Sequence, residues 1–548
     1  MDFLNREGKM MRKRFSWLTL VSVVLLSVSA GAMLNSLISG DNIYEQINKF
    51  KDVLSITEKY YVEDVDTQKL TEAAINGVLL QLDPHSTYIP ASQLQQVTEE
   101  FQGSFDGIGI EYQVLNDTLL VVSPIGGGPS EALGILSGDK ITKINDTSAI
   151  GITQQGVQKK LRGPKGTKVR VSILRTGIDG LLEFEITRDK IPLRTVDASF
   201  MLDDRTGYIN VTRFAAKTHD EFVEGVSKLK DAGMKRLILD LRGNPGGYLE
   251  QAFKMADELL PKGKKIVFTK GRRPEFDDEY VSSGNGKFEQ VSLVILINNG
   301  SASASEIVSG AVQDWDRGLI VGETSFGKGL VQRQFDLKDG SAFRLTTARY
   351  YTPTGRLIQR PYGDDKIQYQ REAYERDEQE GVNLDHEAEK DSTRARFKTA
   401  SGRLVYGGGG ITPDYIVKAD RLTEYSVQLR GKQVFLEFAD KYLDQHGKEL
   451  RTKYDKDVAR FVKEFEVTKE MLDNVLAIAE SRKIEFKKDL YDKDIQYIKA
   501  FTKAFIARSL WGNEGSSRVM LSVDNQFQKA VTLFPEAEKI AKNLSSLK

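Results

Sequence analysis

Apolar and polar positions divide the 548-residue chain into stretches of different period. From 41 to 95, Ile43, Ile47, Phe50, Val53 and Leu54 recur at helical spacing, as do Leu70, Ala74, Ile75, Val78, Leu79 and Leu82; the pattern predicts N-terminal helices, stopped in DPHSTYIP by Pro84 and Pro90. From 96 to 190 short strand-like runs (IGIEYQV, TLLVVSPI, KVRVSILR, LEFEITR) alternate with glycine-rich turns, which predicts a small β-rich domain. From 191 to 365 the pattern is α/β. GYINVTRF reads as a strand and EFVEGVSKLKDAG as an amphipathic helix closed by glycine. The buried runs LILDL, VSLVILIN and GLIVG each lead into glycine or small residues, the way α/β folds expose side chains at strand ends. Residues 366–418 begin with a charge-dense stretch, expected as a solvated helix or loose insertion, and close with GGGGITPDYIV, a turn before a short strand. Residues 419–548 are helical by pattern: Val434, Phe435, Phe438, Ala439, Tyr442 and Leu443 fit one face, and Ile495, Ile498, Phe501 and Phe505 another. They carry no recognisable chemistry and read as an accessory domain.

Composition narrows the function classes. Lys+Arg and Asp+Glu are both 78, so overall charge does not point to nucleic acid. The absence of cysteine removes disulfides, thiolate metal sites and a cysteine nucleophile together. His85, His219, His386 and His446 are scattered without paired metal spacing, so no metal site or cofactor is expected. Lys9, Arg12, Lys13 and Arg14 precede FSWLTLVSVVLLSVSAGAML, and small residues follow at Ser29-Ala30-Gly31-Ala32. That is the layout of a secretory signal over residues 1–34, with an uncleaved anchor as the alternative. The expected location is outside the cytoplasmic membrane: periplasm, or anchored and facing it.

Three motifs in the β-rich stretch are ordered: Gly107-Ile108-Gly109-Ile110, then GILSGDKI, then LRGPKGTKV. Together they resemble a PDZ domain. In such a domain the backbone N–H groups of a glycine-flanked loop hold a peptide's terminal carboxylate, and the next strand pairs with the peptide. Ile108, Gly109 and Ile110 are therefore the candidate residues for binding a peptide C-terminus.

Two readings compete for the stretch Val291–Gln332. Gly322 to Lys328 matches a phosphate-binding loop, G-x-x-x-x-G-K, but Gly329 stands where a hydroxyl must hold magnesium, and a strand-like LVQRQF follows where a helix must face the phosphates. A serine nucleophile with a lysine base fits better. Ser301, Ser303 and Ser305 alternate with alanines past one strand, and Lys328 lies between glycines past the next. An exposed lysine has a pKa of about 10.4, so burial must lower it by roughly 2–3 units for it to act as a base. Gln332 lies four residues on; on one strand it would share a face with Lys328 and could orient the amine. Ser303 also has a purely structural reading, since Ser303 and Glu306 form an S-x-x-E capping box. Gly246-Gly247 in RGNPGG can aim N–H groups at an oxyanion, and the residue after the nucleophile can supply the second donor.

NNGSASASEI followed by FGKGLVQ, preceded by DLRGNPGG and the PDZ-like unit, resembles the carboxyl-terminal processing peptidases, also called tail-specific proteases. The resemblance spans roughly 41–365. It implies a crotonase-like (ClpP-like) α/β protease core carrying an inserted β-rich PDZ domain, with N-terminal helices before it and, here, a C-terminal helical extension. In that family the middle serine of SASAS is the nucleophile, 25 residues before the lysine, with the glutamine four after it, as found here. The resemblance thus implies Ser303 as nucleophile, Lys328 as general base, Gln332 as the residue that orients it, and Gly247 and Ala304 as oxyanion donors. The implied partners are polypeptide substrates with apolar C-termini, an adaptor protein and a homo-oligomeric state are left open, and the membrane is met solely through the N-terminal segment. The alternative is a non-catalytic PDZ scaffold on a degenerate protease frame.

Overall fold

The computed structural model describes Ser27 and residues 43–546, except 364, 377–378, 387–392 and 456. The expected leader at 1–34 lies outside the described residues apart from Ser27. Among the described residues no helix is long and apolar enough to cross a membrane. The chain divides into two units, Met1–Val78 and Leu79–Lys548. In the first, helix α1 (Ile43–Tyr60) buries none of its residues, and its apolar stripe of Ile43, Ile47, Phe50 and Val53 is exposed. Helix α2 (Thr67–Leu80) follows.

The second unit contains a five-strand antiparallel path: β1 (Ile110–Leu115), β2 (Thr118–Pro124), β3 (Lys140–Ile144), β4 (Lys168–Leu174) and β5 (Leu182–Thr187), adjacent in that order. Helix α3 (Gln154–Leu161) covers it, capped by Thr153, whose hydroxyl accepts the Gly156 N–H. Alternation along these strands sends Leu119, Val121, Ile141, Val169, Val171 and Ile173 into one core. Strand β1 is the edge of the sheet, so one side of its backbone is unpaired.

The main sheet has seven strands. Its order is β6 (Val196–Met201), β7 (Thr206–Val211), β8 (Arg236–Asp240), β9 (Ser292–Ile297), β10 (Leu319–Gly322), then Tyr415–Ile416 and Gly381–Val382. Pairing is parallel from β7 through Tyr415–Ile416 and antiparallel at both ends. The central runs are apolar throughout because both faces are buried. Leu237, Leu239, Leu293, Ile295 and Ile297 face one layer, which includes helices α4 (Leu249–Asp257) and α5 (Ala304–Asp314). Ile238, Val294, Leu296 and Val321 face the other, where Leu521, Phe527, Leu533, Phe534 and Ala537 from the C-terminal end cover them. The helical tail is therefore structural to the main sheet as well as accessory to it.

A second sheet stands beside the first. Strand β11 (Leu330–Asp336) pairs with β12 (Ala342–Tyr351), which also pairs with Thr87–Ile89 and Lys265–Gly271. The charge-dense stretch expected to be solvated or loose is partly built in: Tyr369 and Ala373 of its helix are buried, and Gly381–Val382 closes the edge of the main sheet. After Glu424 the chain is helical, with α6 (Val434–Tyr454) and α7 (Lys488–Met520) enclosing a separate apolar core.

Candidate active site

Strand β9 ends at Ile297, and the chain turns through Asn298–Ala302 to Ser303, the N-cap of α5. Ser303 has φ 54° and ψ −108°, a region a β-carbon-bearing residue occupies at a cost of about 1–3 kcal/mol and that marks nucleophile turns. Its neighbours fix it there. Ser301 Oγ donates to the Leu241 carbonyl at 2.8 Å and Ser305 Oγ to the Asn244 carbonyl at 2.9 Å, and both serines are fully buried. Two of the three alternating serines thus anchor the turn to the Asp240–Gly247 loop, and Ser303 is the one that opens on a cavity. Tyr350 of β12 donates its hydroxyl to the Ser303 carbonyl at 3.1 Å.

The capping box is present with a second use. Its firm arm is the Glu306 carboxylate, which accepts the Ser303 N–H at 2.7 Å. The same carboxylate accepts the Ser325 hydroxyl at 2.5 Å, the Gly327 N–H at 2.6 Å and the Lys328 N–H at 2.9 Å. One fully buried acid therefore ties the serine turn to the lysine loop. Burial pushes its pKa up, and the four donors pull the other way.

Lys328 faces the same cavity of about 660 Å³ as Ser303, with Gly246, Gly247, Gln332 and Arg344. Burial pushes the Lys328 ammonium down to about 8, helped by the like charge of Arg344 and opposed by Glu306 and Asp83. Its Nζ makes no hydrogen bond or ion pair among the described residues, with Ser303 or any other group. Catalytic hydrogen bonds are often loose without substrate and tighten in the complex.

The expectation that Lys328 and Gln332 share one regular strand is corrected. Strand β11 starts at Leu330, and its register against β12 slips between Val331 and Gln332. Gln332 Nε2 donates to Thr346 Oγ1 at 3.1 Å, and Thr346 Oγ1 donates to Asp83 Oδ1 at 3.1 Å. Asp83 also holds the His85 and Ser86 N–H groups, so the DPHS turn anchors Gln332 through Thr346. His85 Nε2 lies 3.2 Å from Tyr369 Oη, and burial and then the Lys328 charge push its pKa down to about 3. It is a neutral ring beside the lysine loop. The segment after Lys328 is a strand, which removes the phosphate-loop reading.

The glycine turn meets the serine directly. A β-carbon on Gly246, at φ +98°, would lie 2.8 Å from Ser303 Cβ and 2.8 Å from the Ala302 carbonyl oxygen. The Gly246 N–H is taken by Asn244 Oδ1 at 2.9 Å. Those of Gly247 and Ala304 donate to no acceptor among the described residues. The Gly246 N–H is thus occupied and the Gly247 N–H is not.

In the β-rich domain, Ile108, Gly109 and Ile110 line a cavity with α3. The Gly109 carbonyl accepts Ile125 N–H and the Ile108 carbonyl accepts Ser130 N–H and Oγ–H, while the N–H groups of Ile108 and Gly109 donate to nothing among the described residues. Gly109 has φ +75°, and a β-carbon there would meet Ile191 Cδ1 at 3.0 Å.

Sequence reasoning gave Glu306 only a capping role and passed over Tyr350, Thr346 and Arg344. The S-x-x-E spacing was the one signal for the first. The others come from β12, whose pairing with β11 no local pattern specifies.

This geometry is that of a serine-type hydrolase with a PDZ domain. Comparison with known proteins makes the class specific. Peptidase family S41 matches residues 205–368 and the PDZ domain residues 107–186. The N-terminal domain of the activating protease CtpB matches 27–92, and a family of unknown function matches 425–512. A carboxy-terminal-processing protease of Bartonella bacilliformis is 40% identical over 345 residues, 62% of this chain and 79% of the relative. A probable CtpA-like serine protease of Staphylococcus aureus is 37% identical over 347 residues, 62% of this chain and 68% of the relative. Among solved structures, a photosystem II D1 C-terminal processing protease is 29% identical, with a TM-score of 0.32 over 57% of this chain and 89% of its own. The chain belongs to the carboxy-terminal-processing proteases, serine peptidases of family S41 that carry a PDZ domain.

Proposed function

We propose that the chain is a serine endopeptidase in which Ser303 is the nucleophile, Lys328 the general base, Gln332 the residue that orients it, and the N–H groups of Gly247 and Ala304 the oxyanion donors. One observation carries this: the strained Ser303 and a lysine lowered to about 8 open on one cavity beside the unengaged Gly247 N–H. Ser303 Oγ passes its proton to Lys328 Nζ and bonds to the substrate carbonyl carbon. The resulting oxyanion is held by the two N–H groups. The C–N bond breaks as Lys328 returns the proton to the leaving amine. Water then adds to the ester, its proton again taken by Lys328, and the acid leaves as Ser303 Oγ is reprotonated. Gln332 Oε1 is free to accept from the Lys328 ammonium, since Nε2 is held by Thr346.

Substrates are polypeptides whose apolar C-termini dock on Ile108–Ile110, with the terminal carboxylate on the unengaged N–H groups and the chain added to the free edge of β1. The parallel sheet with its second, antiparallel layer is in keeping with a crotonase-like core. The basic and apolar N-terminal segment favours an exported enzyme. Ser303→Ala and Lys328→Ala, assayed on an unfolded tagged substrate with a thermal melt alongside, test the dyad. Both are expected to lose activity at least a hundredfold while staying folded. Wild-type cleavage by either variant refutes the assignment, and a variant that loses only melting temperature returns Ser303 to a capping role.

A further inference from the structure

The helical C-terminal segment matches a family with no known function and takes no part in the reaction above. Its longest helix, α7, is broken at Trp511 (φ −134°, ψ 16°) and Gly512 (φ 66°, ψ −154°). The break falls against the peptide groove. Residues Arg508–Asn513 line the same cavity of about 990 Å³ as Ile108–Tyr112 and the groove face of α3. The broken segment is held from three sides. Arg508 pairs with Glu111 of β1, Asn513 Nδ2 donates to Asp197 Oδ1 at 2.6 Å, and Trp511 Nε1 donates to the Asp455 carbonyl at 2.8 Å. Behind it, Leu436 of α6 and Phe505 of α7 pack on Leu115, Leu120 and Val122 of the PDZ sheet.

The charges of this cavity are unbalanced. Arg194 and Arg213 from the protease core and Arg451 from α6 line it, and none of their three guanidinium groups makes a hydrogen bond or ion pair among the described residues. Five arginines, Arg162 and Arg508 being the other two, face three acids there; Glu111 pairs with Arg508, while Glu131 and Asp197 accept from neutral donors, the Gly127 N–H at 2.7 Å and Asn513 Nδ2. The inner end of the groove is apolar, with Ile108, Ile110 and Leu161 buried.

We propose that the broken helix is a third wall of the peptide site, and that the walled site selects C-terminal tails with an apolar last residue preceded within a few positions by Asp or Glu. The apolar end fills the groove, and the upstream acids meet Arg194, Arg213 and Arg451. The inference rests on the reading of Ile108–Ile110 as the carboxylate loop.

The test uses the full chain carrying Ser303→Ala, so that ligands survive, and dye-labelled decapeptides ending in Val-Ala-Ala. Peptides with Asp-Glu upstream are compared with Asn-Gln versions, each as free acid and as C-terminal amide. The acidic free acid is expected to bind roughly tenfold tighter than its neutral twin, the sum of two or three partly screened charge contacts. Arg451→Gln with Arg213→Gln, both on exposed positions, is expected to shrink that ratio below threefold, with the neutral peptide unaffected. Equal binding of acidic and neutral peptides, with amidation still abolishing it, overturns this proposal and leaves the carboxylate loop standing. Amides that bind as well as acids overturn both. A tenfold preference that survives the double variant also overturns it, because the preference then arises elsewhere.

Discussion

The Glu306 carboxylate accepts the backbone N–H of Ser303 at 2.7 Å. With its bonds to Ser325, Gly327 and Lys328 it spans the two strand ends whose meeting defines the site. Glutamine has the same size but one acceptor oxygen, and its NH₂ would face donors. Glu306→Gln should cost about 2–4 kcal/mol of stability and at least a hundredfold in kcat/KM. Denaturant melts and initial rates on one preparation check both. A variant with wild-type rates and stability would show that the carboxylate is not needed to join the two loops.

The pH profile follows from Lys328. The proposed base works when neutral, so kcat/KM should rise with pH through a single ionisation near 8, where burial and Arg344 hold the lysine. Arg344→Gln removes the like charge, so the lysine gains protons more easily and the rising limb should move to higher pH by up to about one unit. A limb that stays in place would mean that Arg344 does not act on the base.

The same shift has a stability signature of definite sign. The lysine pKa is lower folded than unfolded, so between pH 8 and about 10.4 the unfolded chain binds more protons and stability rises with pH. Below 8 the folded state holds a penalised charge. Lys328→Met should therefore be inactive yet more stable at pH 7, on the order of 1–3 kcal/mol, with the gain fading as pH approaches 10. Chemical denaturation at pH 7 and 9.5 measures it; an inactive variant less stable at both values contradicts a strained lysine.

Tyr350→Phe deletes the donor to the Ser303 carbonyl and little else. The serine turn loses one of the bonds that hold its unusual backbone. We expect kcat to fall about tenfold with KM nearly unchanged, because the positioning of the proposed nucleophile is affected and not the binding of the chain. A rise in KM at constant kcat would place Tyr350 in substrate binding.

Much of the site was legible because backbone chemistry writes itself into local sequence. Gly246-Gly247, the alternating small residues around Ser303 and the glycines beside Lys328 mark turns where strands end, and their spacing carried the family resemblance. That Asn244 occupies the Gly246 N–H and leaves the Gly247 N–H unengaged was not legible, because it depends on how the turn folds back on itself. Nor was the support of Gln332, which rests on Thr346 from the paired strand β12 and, through it, on Asp83 from a turn 263 residues away from Thr346 in sequence. The tail shows the limit of periodicity most clearly. Spacing shows that a helix has an apolar face but not what the face meets. Phe527 and Phe534 turn out to cover Ile238, Val294 and Leu296 of the protease sheet. The kink at Trp511–Gly512 brings a second part of the same tail to the cavity lined by Ile108–Tyr112 of the PDZ domain.

The central claim is that Ser303 is activated by Lys328. A fluorophosphonate probe reports it directly, since the serine oxygen displaces fluoride from phosphorus and the adduct is read by peptide mass spectrometry. At pH 9 a single adduct on Ser303 is expected. Labelling should slow at least tenfold at pH 6.5 and at least a hundredfold in Lys328→Ala at pH 9. An adduct on Ser301 or Ser305, or labelling of Ser303 at an unchanged rate in Lys328→Ala, would contradict the account.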